Sequence, residues 1–183
     1  ALAGLVVRAL PLLLLFTTFL FINGEVWQVA GTLAGPAYVA TLLIFFLLGA
    51  VFVLSRVPSL LRGLGNFDDW SEVSPLVVDT PAEELSLPPD GPADVRPLTA
   101  RQRLNVGLVA VFSQALQITF VSVLLTLFFV LFGVLAISES VTMSWTGLGD
   151  VHVYTSFEFG DRTLVLTEPL LRVSGFLGAF TGM

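Results

Sequence analysis

Two uninterrupted apolar tracts constrain this chain more than any other feature of it. From Ala37 to Ser55, nineteen residues pass without a charged side chain, and from Leu104 to Ile137 another thirty-four do. As a helix the first tract is about 28 Å long, which matches the hydrocarbon thickness of a bilayer. No water completes backbone hydrogen bonds inside lipid, so such a tract must satisfy its own N–H and C=O groups as a helix. Charged residues make up 12% of the 183-residue chain and hydrophobic residues 55%, against about 25% charge in a soluble domain. One small core cannot enclose that much apolar surface. The expected class is mainly α, an integral membrane protein with the lipid bilayer as its first partner.

Further tracts extend the count. An apolar run near the N-terminus, about Ala9 to Ile22, carries Pro11 near its start, where a missing N–H costs little, and leaves the hydrocarbon at Asn23-Gly24-Glu25. Trp27 is a residue type expected at a membrane–water boundary. A short link, Gly31 to Pro36, leads to the second tract, with Tyr38 at its boundary. Thr99 to Gln102 fits a capping box opening the third helix, 104–138. Its length, about 50 Å, exceeds one upright span, so an amphipathic first part followed by a span from Ile118 to Ile137 is expected. Pro169 precedes a last apolar stretch, 170–183, read as the truncated start of a fourth transmembrane helix. The absence of an initial Met, with that short last stretch, suggests an excerpt of a longer protein.

Residues 56–103 are of a different composition, with seven of the ten prolines, eight of the fourteen acidic residues and five of the eight arginines. They are expected as a solvated loop, irregular between Ser71 and Pro97, with Leu60, Leu61 and Leu64 in a short interfacial helix. Arg8, Arg56, Arg62, Arg101 and Arg103 fall on one side if each tract crosses once. By the positive-inside rule that side is cytoplasmic, which places the acidic, Pro-rich loop inside and the 139–169 segment outside. Arginine without lysine suggests a GC-rich bacterial genome, hence a bacterial plasma membrane.

After Ile137 the apolar period changes to two. Val141, Met143 and Trp145 alternate with Thr142, Ser144 and Thr146, and a second run does the same through Val151, Val153, Phe157 and Phe159. Gly160-Asp161 is a two-residue hairpin signal, which sets Phe159 opposite Arg162 and Phe157 opposite Leu164. A turn at Gly147–Asp150 sets Trp145 opposite Val151. The two turns agree in putting apolar residues on one face. The expectation is a three-stranded antiparallel β-meander, about 141–168, between the third and fourth of three to four transmembrane helices. Its face, Trp145, Phe157 and Phe159, is a candidate interaction surface.

Candidate polar sites are few. Glu25, at the end of an apolar run, is the first, since an ionisable group in a membrane suggests function; that the chain leaves the hydrocarbon at that point is the simpler and preferred explanation. Gln114 and Gln117, beside Ser113, would line a cavity or hydrogen-bond between helices. His152, the one histidine, lies on the polar side of the expected meander. Asp68, Asp69, Glu72, Glu83 and Glu84 lack EF-hand spacing and read as a solvated acidic loop. Ser174, Gly178 and Gly182, four apart with Gly175 beside them, would let another helix approach closely.

With no cysteine there is no disulfide, thiolate or Cys-based zinc chemistry within the chain, and no cofactor is expected. A net charge of −6 argues against nucleic acid. Gly63-Leu64-Gly65 lacks the third glycine and the lysine of a phosphate loop, and no paired carboxylates or Ser-His-Asp arrangement appears.

The stretch RALPLLLLFTTFLFINGEVWQVA (8–30), FFVLFGVLAI (128–137) and Ser144-Trp145-Thr146-Gly147 resemble an uncharacterised family of actinobacterial multi-pass membrane proteins. That resemblance implies a soluble region beyond the last helix and lends no activity and no site residues. The leading expectation is a non-enzymatic membrane subunit or scaffold, partnered by a second copy or by other membrane subunits. The alternative is an oligomeric transporter or channel component lined by Glu25, Gln114 and Gln117. A third is an enzyme of lipid or envelope metabolism whose site lies outside these residues.

Overall fold

The computed structural model describes residues 2–33, 35–63, 69–81, 83–84 and 99–183. The order of elements is α1 (Leu2–Phe21), α2 (Gly24–Thr32), α3 (Gly35–Gly63), α4 (Trp70–Val77), α5 (Ala100–Ala136), α6 (Glu139–Thr146), β1 (Val153–Phe159), β2 (Arg162–Thr167) and α7 (Glu168–Thr181). Contacts divide the chain into one unit of residues 1–52 with 115–183 and a second of 53–114. Among the described residues two helices are long and apolar enough to cross a membrane, α5 and the Gly35–Ser59 part of α3, with a third span if the bent α1–α2 pair counts as one.

In the second unit the capping box forms as expected. The Thr99 N–H donates to Gln102 Oε1 at 2.9 Å, and the Gln102 N–H points back at Thr99 Oγ1 at 3.4 Å. α5 then runs unbroken for 37 residues, about 55 Å. α3 continues through Pro58 to Gly63, so Leu60 and Leu61 belong to it rather than to a separate interfacial helix. Leu64, Gly65 and Asp68 lie outside the described residues. The stretch expected to be irregular from Ser71 onward begins with α4, started by Asp69, whose carboxylate accepts from the Ser71 N–H at 2.8 Å.

In the first unit α7 is the central helix. Its buried residues are Pro169, Leu170, Val173, Ser174, Leu177 and Gly178. Leu170, Val173 and Leu177 join Phe21 of α1, Trp27 and Ala30 of α2, Phe129 of α5 and Ile137 in one buried cluster. α3 touches another part of α7 through Phe45, whose ring meets Phe176 and Phe180 edge-on at 5.2 and 5.7 Å.

The three-stranded meander is corrected. Residues 139–146 are helix α6, and the sheet has two strands, β1 and β2, antiparallel. Ser138 caps α6 by accepting from the Val141 N–H at 3.4 Å, and Gly147 ends it in the left-handed region at φ 72°, where a Cβ would be strained. The hydropathy alternation misleads because the residues α6 buries are Thr142 and Thr146. They are one helical turn apart. Each hydroxyl donates to the carbonyl four residues back, at 3.2 and 2.8 Å, which leaves the methyl groups free to pack. The hairpin itself follows the expected register, Phe159 opposite Arg162 and Phe157 opposite Leu164, around Gly160 at φ 61°. A bulge between Val153 and Thr155 shifts the base of β1.

Candidate functional site: the bent helix pair and the α7 seam

α1 ends at Phe21, and the chain turns by 77° before α2 begins. A continuing helix would give the Phe21 carbonyl the N–H of residue 25. Here the Glu25 N–H goes to Asn23 Oδ1 at 2.8 Å, which caps α2. The orphaned Phe21 carbonyl instead accepts the indole N–H of Trp27 at 2.5 Å, in a fully buried position. Trp27 is therefore enclosed by the chain itself. Its ring sits edge-on to Phe21 at 5.6 Å and to Trp145 of α6 at 5.4 Å.

The expected link before α3 is thus largely helical. α2 buries Trp27, Ala30 and Gly31 and exposes Glu25, Gln28, Val29 and Thr32. One face rests on α6 and α7, and the other is open and mostly polar. Gly31 makes the close approach possible: a Cβ there would lie 3.2 Å from the Thr146 methyl and 3.3 Å from Pro169 Cβ.

The far end of α2 meets a charge cluster. Arg172 of α7 pairs with Glu168 one turn before it, and its other guanidinium nitrogen lies 3.5 Å from the Gly31 carbonyl. A cation near the exposed carbonyls of a helix C-terminus is favourable. The Tyr38 hydroxyl, from the start of α3, donates to the Arg172 carbonyl at 2.9 Å. α2, α3 and α7 are so joined within a few side chains. This cluster is absent from the sequence-based candidates, because nothing in the spacing of Gly31, Tyr38 and Arg172 announces their meeting.

The glycine stripe packs within the chain. A Cβ on Gly178 would fall 2.0 Å from Thr126 Oγ1 and 2.8 Å from the Ser122 carbonyl oxygen; one on Gly182 would fall 2.1 Å from Ser122 Oγ. A Cβ on Gly133 would lie 2.2 Å from the Leu170 side chain. α7 therefore runs antiparallel along α5 from Gly133 down to Ile118. Ser174, on the same stripe, is buried, and its hydroxyl has no hydrogen-bond partner among the described residues.

The other candidates stay apart from any enclosed site. Glu25, Ser113, Gln114 and Gln117 are exposed. His152 is exposed, with its ring edge-on to Tyr154 at 4.8 Å, and its carbonyl accepts the Glu168 N–H at 2.9 Å. Glu72, Glu83 and Glu84 are exposed, and Glu83 accepts from the Asp79 N–H. Among the described residues no group of three His, Cys, Asp or Glu side chains could hold a metal ion. Trp145 is not on the sheet: it lies half-buried on α6, while Phe157 and Phe159 stand exposed on the hairpin. No protein-family model, curated protein or solved structure matches the chain.

Proposed function

We propose that this chain is a non-enzymatic, multi-pass subunit of a bacterial plasma membrane, a scaffold whose extracytoplasmic cap consists of α2, α6 and the hairpin. Residues 56–103 are then cytoplasmic, in keeping with the arginines flanking the tracts. The observation that carries the reading is the exposure of α3 and α5. Only 6% of the most apolar window of α3, and 17% of that of α5, is buried by the rest of the chain. Leu43, Phe46, Leu47 and Val51 on one helix, and Phe120, Leu124, Leu127 and Leu131 on the other, are exposed. In water such surface would aggregate; in lipid it is solvated.

A second reading is favoured by one feature. The α1–α2 break puts Glu25 in the first turn of a half-helix, an arrangement used by transporters to face a substrate. Against it, Glu25 shares its open face with Gln28 and Thr32 rather than aiming into the buried cluster. The test is ion and solute flux into proteoliposomes containing the whole chain. The scaffold reading expects no flux above protein-free vesicles and co-migration of the chain with other subunits in native membranes. Flux that Glu25→Gln abolishes would replace it with the transporter reading.

A further inference from the structure

Phe157 and Phe159 are 56% and 73% exposed, an unusual state for two neighbouring aromatic side chains on one sheet face. Strand alternation and the observed register put Thr155, Phe157, Phe159, Arg162, Leu164 and Leu166 on that face, with Ser156, Glu158, Thr163 and the buried Val165 on the other. At the base of the hairpin, Leu166 packs against the buried cluster of α1, α2, α5 and α7. At the base both faces are covered, the aromatic face through Leu166 and the opposite face through Val165, which is buried; from Phe157 and Thr163 outward both faces are open.

The position along the helices is also fixed. β2 passes into α7 without a linker, Thr167 serving as N-cap. Leu170 lies beside Gly133, near the end of α5 at Ala136. The hairpin base is so level with the end of the long apolar tract. From there six residues of strand reach about 20 Å, roughly twice the width of one helix, and the exposed side chains from Phe157 to Thr163 show that none of the described residues of this unit covers the tip.

We propose that the Phe157–Phe159–Arg162 face of the hairpin rests on the phospholipid interface beside the helices. This rests on the membrane reading above. Two phenyl rings suit the boundary between acyl chains and headgroups, and a guanidinium directly across from Phe159 can reach a lipid phosphate while its stem stays against the ring. Glu158 and Thr163 then meet water. The hairpin acts as an outrigger that fixes the depth and tilt of α7.

The chain has no cysteine, so single cysteines can be placed and labelled cleanly. Ser156→Cys, Phe157→Cys, Glu158→Cys and Phe159→Cys, each in the whole chain with a bimane label, are reconstituted in phosphatidylglycerol–phosphatidylcholine vesicles, with Phe46→Cys on α3 as the lipid control. The expected result has period two: brominated acyl chains remove most of the emission at 157 and 159, and aqueous iodide does so at 156 and 158. Iodide quenching at all four, with Phe46→Cys still quenched by bromine, overturns the proposal and leaves the membrane reading intact. Protection of 157 and 159 from both quenchers overturns it in favour of a second copy or another protein. Iodide quenching at Phe46→Cys itself removes the membrane reading, and this one with it.

Discussion

Gly178→Ala should separate α5 from α7, and the cost can be worked from two atoms. The new methyl would meet Thr126 Oγ1 at 2.0 Å and the Ser122 carbonyl oxygen at 2.8 Å. The hydroxyl can rotate away, though it loses its 2.9 Å bond to the Ser122 carbonyl. The backbone oxygen cannot move without α5 moving. Overpacking of this kind costs about 1–3 kcal/mol, and a backbone obstacle puts it in the upper half. Alanine returns about 1 kcal/mol of helix propensity over glycine, so the net loss is about 1–2 kcal/mol. At about 2–4 °C per kcal/mol for a chain of this size, Tm in detergent micelles should fall by roughly 2–8 °C. Gly182→Ala is the internal comparison. Its nearest obstacle is the Ser122 side chain, which rotates, so its loss should stay within about 0.5 kcal/mol. Gly24→Ala, with nothing within 4 Å, should be neutral. Gly178→Ala with Thr126→Ala should recover part of the loss and not all of it. Circular dichroism melts of the five proteins decide the matter. The reasoning is refuted if Gly178→Ala melts at or above the parent temperature, or if it and Gly182→Ala fall equally.

Three further outcomes follow from the cluster around α2. Trp27→Phe keeps most of the ring contacts but leaves the buried Phe21 carbonyl unpaired, so it should cost about 1–3 kcal/mol in the same melts. Tyr38→Phe removes one partly buried hydrogen bond to the Arg172 carbonyl and should cost about 1 kcal/mol, with no change in secondary structure by circular dichroism. Arg172→Met removes a partly exposed ion pair and a cation near a helix end, about 1 kcal/mol together. It should raise hydrogen exchange at the Val29–Leu33 amides while leaving α5 unchanged.

The sequence made legible those features whose cause is local. The Thr99–Gln102 box, the Gly160–Asp161 turn with its register, Pro36 in the first turn of α3 and the small-residue stripe of α7 each depend on residues within a few positions of one another. What stayed hidden depends on packing partners far along the chain. α6 resembles a strand by hydropathy because threonine counts as polar, yet in a helix its hydroxyl is satisfied by the preceding turn and its methyl can be buried. α2 resembles a link because its burying face is short and consists of Trp27, Ala30 and Gly31, only one of them large. The burial of Trp27 has no signal in the sequence, because its cause is the orphaned Phe21 carbonyl. Among the candidate site residues, the seam of Ser174, Gly178 and Gly182 found a partner within the chain. The side chains of Glu25 and Gln117 stand exposed, apart from any cluster of the described residues, and the Tyr38–Arg172–Gly31 cluster had no sequence signal at all.

The most direct test is a nitroxide scan of single cysteines from Ala37 to Ser55 in lipid vesicles, recording accessibility to oxygen and to a water-soluble nickel chelate. Lipid around α3 requires low nickel accessibility at every position from Val39 to Val51. Oxygen accessibility should be high there too, except at Leu42, Phe45 and Gly49, with Tyr38 just outside, the stripe turned toward α7. Nickel reaching Leu43, Phe46 and Leu47 as freely as it reaches an exposed loop would contradict a membrane-spanning α3.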